Sequence, residues 1–383
     1  MYRLKINDDL TITYKPHPDL KHTNNIKFET WEQTIKRNND SLSQKEEKSI
    51  SLLQKYCNNS QRTIIDLNST GKDSMVKTDL AKRAGINFDT YFNVTTLDVA
   101  ESNMMAKEQG FKFIYPDLTS GGFYQWREKN NIVPSRLNRC CCERFKEHPT
   151  INYFGIDDKL LFLLGMRNSE SLSRSKYQDV WSNKKWGKKR DWIGILPIRE
   201  WSELDVWMYI LKYHIPINKK YKYGYSRVGC GIACPNYTKT TWVLDKYWYP
   251  TMYQRWQKIL ADDFKNNYKW LIMNCTLQEY LQKAWTGGTY RNEPTNDVIK
   301  EYAEYQDIPT DLAQRYFCHT CTVCGKRIKN KDEIAMNLKF VGKNTSKFYC
   351  KKHLCEQMEI SDDIYNNLIK SSKITGCCFF NII

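Results

Sequence analysis

Three groups of residues in this chain combine side-chain types and spacing that suit chemistry. The first, Ser69-Thr70-Gly71-Lys72-Asp73-Ser74, follows the apolar run Thr63–Leu67. Small residues just past a buried strand let backbone N–H groups close on phosphate oxygens. A helix starting there adds partial positive charge, and Lys72 adds a full one. The run is not a Walker A loop: Asp66 stands where that motif needs its first glycine, and Asp73 replaces the Ser or Thr after the lysine. The plainer reading is a Gly-Lys-Asp surface turn.

The second group is Cys140-Cys141-Cys142 with Cys230-Gly231-Ile232-Ala233-Cys234-Pro235. A thiolate pair and a later close pair can ligate a [4Fe–4S] cube. A zinc site, or buried thiols packing as small hydrophobes, are the alternatives. The third group is Cys321-Thr322-Val323-Cys324-Gly325 with Cys350-Lys351-Lys352-His353. Two close ligand pairs across a hairpin-length insert suit a tetrahedral Cys₃His zinc site, with Cys318 and Cys355 as alternative ligands. Lys326, Arg327, Lys329, Lys331, Lys339, Lys343 and Lys347 surround it. They suit nucleic-acid phosphates or, equally, a solvated face. Phe340 and Tyr349 read as core of that module or as base-stacking residues.

The elements that must position these residues follow an alternating pattern. Strands are predicted at Thr63–Leu67, Thr90–Thr95, Lys112–Tyr115 and Lys159–Leu164, with helices at Ser74–Ala84 and Ala100–Gln109 between the first three. Such alternation indicates an α/β fold with a doubly wound, mainly parallel sheet. A helix is predicted at Leu42–Tyr56. Ser202 caps another over Glu203–Lys212, with Asp205 three residues on, and aromatic-rich helices fill Thr240–Ala284. From Cys318 the composition shifts to Cys, His, Lys and short strand-like runs. The expected organisation is an N-terminal helical extension (1–60), an α/β domain with a helical part (61–317) and a small zinc-binding module (318–383).

Composition bounds the function. The chain has 383 residues, 41% hydrophobic, with a formal charge of +16, which favours anionic partners, DNA or RNA among them. The stretch Leu160–Leu164 is too short to span a membrane. Met1-Tyr2-Arg3-Leu4-Lys5 lacks the apolar run of a secretory signal, so a cytoplasmic protein is expected. In that setting the 14 cysteines read as metal or iron–sulfur ligands rather than disulfides.

Ser69–Ser74 resembles the Ser-Gly-Gly-Lys-Asp-Ser loop of the N-type ATP pyrophosphatases, with Thr70 departing from the second glycine. Later segments resemble the phosphoadenosine phosphosulfate (PAPS) reductase family of that superfamily. These are Thr96-Leu97-Asp98, the run Gly165-Met166-Arg167-Asn168-Ser169-Glu170-Ser171 with Arg174, then Pro197-Ile198, Trp201, Asp205-Val206-Trp207, Ile215-Pro216, Asn218, Tyr221 and Gly229-Cys230. The resemblance covers about residues 60–240 and implies an adenine nucleotide alpha hydrolase-like fold. It implies that Ser69, Thr70, Gly71, Lys72, Asp73, Ser74, Asp98 and Arg167 meet an ATP- or PAPS-type nucleotide. Lys72, Asp73, Arg167, Glu170 and Arg174 are implied to serve catalysis, with Glu170 orienting an arginine or holding Mg²⁺.

The family's Cys-Cys pair precedes Lys and Pro at set offsets, and Cys141-Cys142, Lys146 and Pro149 match that register. The resemblance therefore implies Cys141, Cys142, Cys230 and Cys234 as cluster ligands, leaving Cys140 spare. Two departures stand out. Three residues separate Cys230 from Cys234 where the family has two, and Phe145 occupies an often basic position.

Three functions follow as expectations. The first splits ATP between its α and β phosphates to adenylate a substrate for sulfur transfer, drawing on a sulfur-donor protein. It resembles the sulfur-transfer subunit of DNA phosphorothioation systems. The second reduces PAPS or adenylyl sulfate; the family's C-terminal Glu-Cys-Gly-(Leu/Ile)-His motif does not occur here, leaving Cys377-Cys378 as the substitute. The third is a non-catalytic nucleic-acid or partner-binding protein with a degenerate nucleotide fold.

Overall fold

Strand-forming runs and amphipathic helices alternate as the sequence predicts. The computed structural model describes residues 3–6, 12–15, 29–155, 158–172, 174–181, 191–236, 238–287, 290–291, 293–317, 319–326, 328, 330–342, 345, 347–377 and 379–380. The chain divides into two units, residues 1–131 with 140–234, and residues 132–139 with 235–383.

In the first unit a hairpin, β1 (Arg3–Ile6) and β2 (Ile12–Lys15), precedes helix α1 (Trp31–Cys57), so the N-terminal extension is not purely helical. A capping box between Thr30 and Gln33 starts α1. Then come β3 (Thr63–Leu67), α2 (Lys72–Arg83), β4 (Asp89–Asn93), α3 (Ala100–Glu108), β5 (Lys112–Ile114) and α4 (Phe123–Asn130). A helical stretch follows: α5 (Cys140–Cys142), a π-helical turn (Glu143–Glu147) and α6 (His148–Tyr153). Beyond it lie β6 (Leu160–Leu163), β7 (Val180–Trp181), β8 (Trp192–Ile195), α7 (Glu203–Lys212) and α8 (Lys219–Lys222).

The sheet order is β5-β4-β3-β6-β8-β7, parallel except that β7 runs against β8. Leu160 to Leu163 are all buried, because β6 is covered on both faces. Leu161 and Leu163 pack with residues of α1, α2, α3 and α7, whereas Leu160 and Phe162 pack with Trp192, Ile151 and Phe154. The fold is thus a doubly wound, mainly parallel α/β sheet.

Strand order reverses direction between β3 and β6. Crevices beyond strand C-termini at such points are where open α/β sheets take ligands. The floor of this crevice is a charge pair from which water is excluded. Lys77 Nζ donates to Asp66, to Leu67 O (3.0 Å) and to Leu163 O (3.4 Å). Asp66 also accepts from the Thr78 (2.6 Å) and Thr90 (3.1 Å) hydroxyls. One buried pair therefore joins β3, β4, β6 and α2.

The second unit is helical: α9 (Lys239–Trp248), α10 (Pro250–Asn266), α11 (Lys269–Met273), α12 (Leu277–Gln282), α13 (Asn296–Gln306) and α14 (Thr310–Phe317). Edge-to-face pairs such as Trp256–Trp285 (5.4 Å) and Phe264–Trp270 (4.3 Å) fill its core. The strand-like reading of the C-terminal region gives way to three more helices, α15 (Lys331–Phe340), α16 (Lys351–Met358) and α17 (Asp362–Ile374). Asn330 and Ser361 cap two of them, and an isolated bridge joins Cys321 to Phe348. Among the described residues no helix is long and apolar enough to cross a membrane.

Candidate active site and metal centres

The loop after β3 and the loop after β6 meet at the switch point. Thr70 is left-handed (φ 59°) and fully buried, which explains why the resembled motif carries glycine there. Thr70 N–H donates to Asn68 Oδ1 (2.8 Å), and its hydroxyl accepts from Asn218 Nδ2 (2.9 Å). Gly71 then caps α2, so Lys72 and Asp73 sit on the helix's first turn.

Gly165 lets the second loop close on that turn. A Cβ there would stand 2.9 Å from Asp73 O, so only glycine permits the approach. Arg167 is thereby brought to Asp73, with Nε 2.5 Å from Oδ1. Lys72 Nζ lies 3.4 Å from Asp73 Oδ2. Glu203, at the start of α7, completes the group: it reaches Lys72 Nζ at 3.3 Å and Arg167 Nη2 at 3.0 Å. Lys72 and Arg167 are both 4% exposed, so their charges are little screened by water. Burial opposes the Arg167 charge, but Asp73 and Glu203 outweigh it and raise its pKa.

Tyr221 underlies the site. Its hydroxyl accepts the Lys72 N–H (2.9 Å), and its ring lies 5.6 Å from Lys72 Nζ. Ser69 and Ser74 hydroxyls stand 3.2 Å apart at the loop mouth. Glu170 pairs with Arg174 and accepts the Arg167 N–H (2.9 Å), so these two residues tie the second loop to itself beside the Lys72 group. Glu203 and the Asp66–Lys77 floor escaped the sequence reading. A carboxylate inside the apolar strand Thr63–Leu67 was the signal available for the floor.

Asp98 follows β4, the strand beside β3. It accepts from Thr95 N–H (2.6 Å) on the turn after β4, where loss of solvent pushes its carboxyl up to about 6, against the Thr95 hydrogen bond; Cys230 and Lys146 are among its electrostatic neighbours. Those neighbours belong to the first cysteine group. Cys141 bonds Cys142 and feels Cys230, while Cys230 accepts from Cys234. Bonding to Cys142 and burial raise the Cys141 pKa. The bond from Cys234, with Lys146 and Arg227, holds the Cys230 thiol well down against its burial. The Cys230 charge in turn raises the Lys146 pKa. Both cysteine segments thus share one neighbourhood with a buried ammonium, a donor set that fits an anionic iron–sulfur cluster. Gly231 (φ 114°) seats this loop: a Cβ there would stand 2.0 Å from Leu97 O, on the turn that carries Asp98.

In the second unit the Cys321, Cys324 and Cys350 sulfurs and a His353 ring nitrogen all lie within 4.8 Å of one another. His353 Nδ1 is 3.3 Å from Cys321 Sγ and 3.2 Å from Cys350 Sγ. Burial pushes the Cys321 thiol up, but N–H groups of Cys350, Cys324 and Val323 and the Cys324 thiol outweigh it, leaving about 6. The group can hold a metal ion. Cys355 is outside it, facing Asp362 and packing with Met336, Leu354 and Tyr365. Cys318, Arg327, Lys329, Lys343 and Cys378 lie outside the described residues. Tyr349 packs beside that apolar cluster, and Phe340 is 38% exposed.

Residues 63–236 match the family model described as phosphoadenosine phosphosulfate reductase domain. Two uncharacterized proteins of Methanocaldococcus jannaschii are similar, at 29% identity over 63% of this chain and 28% over 68%. The matches span 59% and 52% of those proteins' own lengths, little more than half. An adenosine 5'-phosphosulfate reductase of Oceanobacillus iheyensis is 28% identical over 43% of this chain and 68% of its own length.

Proposed function

The chain belongs, through residues 63–236, to the PAPS reductase family of adenine-nucleotide enzymes, and we propose from that premise that it cleaves ATP between the α and β phosphates. An acceptor oxygen attacks the α phosphorus, the bond to the bridging oxygen breaks, and pyrophosphate leaves with the electron pair. The acceptor, now carrying AMP through that oxygen, is open to a hydrosulfide-level sulfur donor. Sulfur bonds the acceptor as AMP departs with the oxygen. Nucleic acid is the acceptor class that the +16 charge favours.

One observation carries the reading: Lys72 and Arg167 stand together, both nearly solvent-free, at the first turn of α2 above the switch point. Fixed cations in such a place stabilise the charge that develops on leaving pyrophosphate. Asp73 orients both cations. Mg²⁺ would accompany the nucleotide as counter-ion. Cys141, Cys142, Cys230 and Cys234 would hold a [4Fe–4S] cluster with Lys146 balancing its charge, and such a cluster supplies structural or one-electron chemistry. Cys321, Cys324, Cys350 and His353 would hold structural zinc.

The test is product analysis with ATP and with PAPS, in the presence and absence of DNA or RNA. ATP-dependent pyrophosphate release is expected, and Lys72→Ala should lower it by about 100-fold or more with the fold intact. Undiminished turnover in that variant defeats the assignment. Similarity to adenosine 5'-phosphosulfate reductases favours a second reading, sulfonucleotide reduction. Sulfite release from PAPS in the presence of a dithiol, which is oxidised to the disulfide as it supplies the two electrons, without pyrophosphate release from ATP would establish it instead.

A further inference from the structure

One member of the charged group is unlike the others. The Lys72, Asp73 and Arg167 side chains are 5%, 17% and 4% exposed, whereas that of Glu203 is 57% exposed. Its two oxygens nevertheless stand against both cations, one at 3.3 Å from Lys72 and the other at 3.0 Å from Arg167. That is where a bridging oxyanion would put two oxygens. The cap of α7 does not need this carboxylate, because Ser202 and Asp205 close it reciprocally. Glu203 can therefore turn outward without uncapping its helix. Asp73 differs: it lies on the same turn as Lys72 and receives Arg167 Nε at 2.5 Å. Tyr221 fills the neighbouring donor in the same way, its oxygen taking the Lys72 N–H.

We propose that Glu203 is a built-in competitor at this site: its carboxylate holds the phosphate position between Lys72 and Arg167 and must yield it before a pyrophosphoryl group binds. The proposal rests on reading Lys72 and Arg167 as the pyrophosphate-binding pair. With Glu203 inward the four charges sum to zero, so an approaching anion meets no net attraction. With Glu203 outward the group is left one positive charge, and the ligand must make good two ion pairs. A single phosphate exchanges one bridging anion for another and gains little. A pyrophosphoryl group brings a second phosphate for the donors of the Ser69–Ser74 loop. An exposed ion pair contributes little in itself, so the carboxylate weakens the binding of every anion at this position modestly without blocking the site.

The experiment is calorimetric titration of the full chain with inorganic pyrophosphate and with orthophosphate, each in EDTA and in Mg²⁺. Glu203→Gln keeps the side chain's length and removes its charge. In EDTA the variant should bind orthophosphate about fivefold tighter and pyrophosphate tighter by at least as much, since both displace the same carboxylate. An unchanged thermal midpoint verifies folding. Unaltered affinity for both anions overturns the proposal. So does a loss of pyrophosphate binding confined to Mg²⁺, which makes Glu203 a metal ligand. Lys72→Ala separates the two readings. If Lys72→Ala abolishes binding while Glu203→Gln leaves both affinities untouched, only the role of Glu203 falls. If wild type binds neither anion, the pyrophosphate-binding pair falls with it.

Discussion

The nucleotide crevice and the Cys₃His module solve the same problem, holding a few polar groups still, by opposite means. The crevice stands on a large apolar core packed against both faces of the sheet. Its polar residues are fixed by one another: Asp66 by Lys77, Arg167 by Asp73, Thr70 by Asn218. The module has two small apolar clusters, and the thiols Cys321 and Cys350 form half of one. There the candidate ligands are themselves much of the core. A site built on packing keeps its shape without a ligand, whereas one built from ligands takes its shape from the metal.

Metal removal tests that contrast most severely. A structural zinc contributes on the order of 10 kcal/mol in small domains. Stripping the metal with a chelator should expose the amides of α15 to α17 to hydrogen exchange and leave β3 and β6 protected. Persistent protection of those three helices would mean that their apolar contacts suffice. Metal analysis should return about one zinc per chain, counted apart from iron.

The second test removes half of the crevice floor. Lys77→Met leaves the Asp66 carboxylate, 0% exposed, with hydroxyl partners alone. Breaking a buried pair in this way costs about 3–5 kcal/mol, measurable by urea unfolding. Adding Asp66→Asn should recover much of the loss, since the double variant leaves no unpaired charge. Lys72→Ala should change stability by less than about 1 kcal/mol, because Lys72 serves the ligand side of the crevice. Equal losses in Lys77→Met and Lys72→Ala would erase the distinction between floor and site.

These two residues also mark how much was legible in the sequence. Lys72 is readable because phosphate loops are local: strand, small residues, lysine and helix lie within a dozen positions. Strands β3 to β6 are readable for the same reason, each falling in one short run rich in β-branched, aromatic or aliphatic residues. Tyr221 and Glu203 reach Lys72 from over a hundred residues away, and only the sheet's closure brings them there. The resemblance placed Tyr221 in order but gave it no partner. Lys77 read as one more charge on an amphipathic helix, although α2 turns that side chain inward to Asp66. The C-terminal helices, one of them 13 residues long, were missed because the Cys, His and Lys composition of the region was read as short strand-like runs around a metal site, which masked the apolar spacing of Ile364, Tyr365, Leu368 and Ile369.

The smallest expected effect concerns Thr70, where the sequence departs from its motif and the backbone keeps the motif's conformation. A β-branched residue at φ 59° carries strain of about 1–2 kcal/mol that glycine would relieve. Thr70→Gly also deletes the hydroxyl that accepts from Asn218, leaving a buried amide donor short of one partner at about 1–2 kcal/mol. The two nearly cancel, and glycine's greater freedom in the unfolded chain offsets some of the remaining gain. The unfolding free energy should therefore move by less than about 1 kcal/mol. Affinity for pyrophosphate should move with it only slightly, because the donors belong to the backbone. A gain in stability well beyond that bound would mean that the Asn218 bond is worth little and that Thr70 is retained at the loop for its contact with the ligand. A loss of comparable size would mean that the hydroxyl, rather than the helix cap, is what holds the turn open.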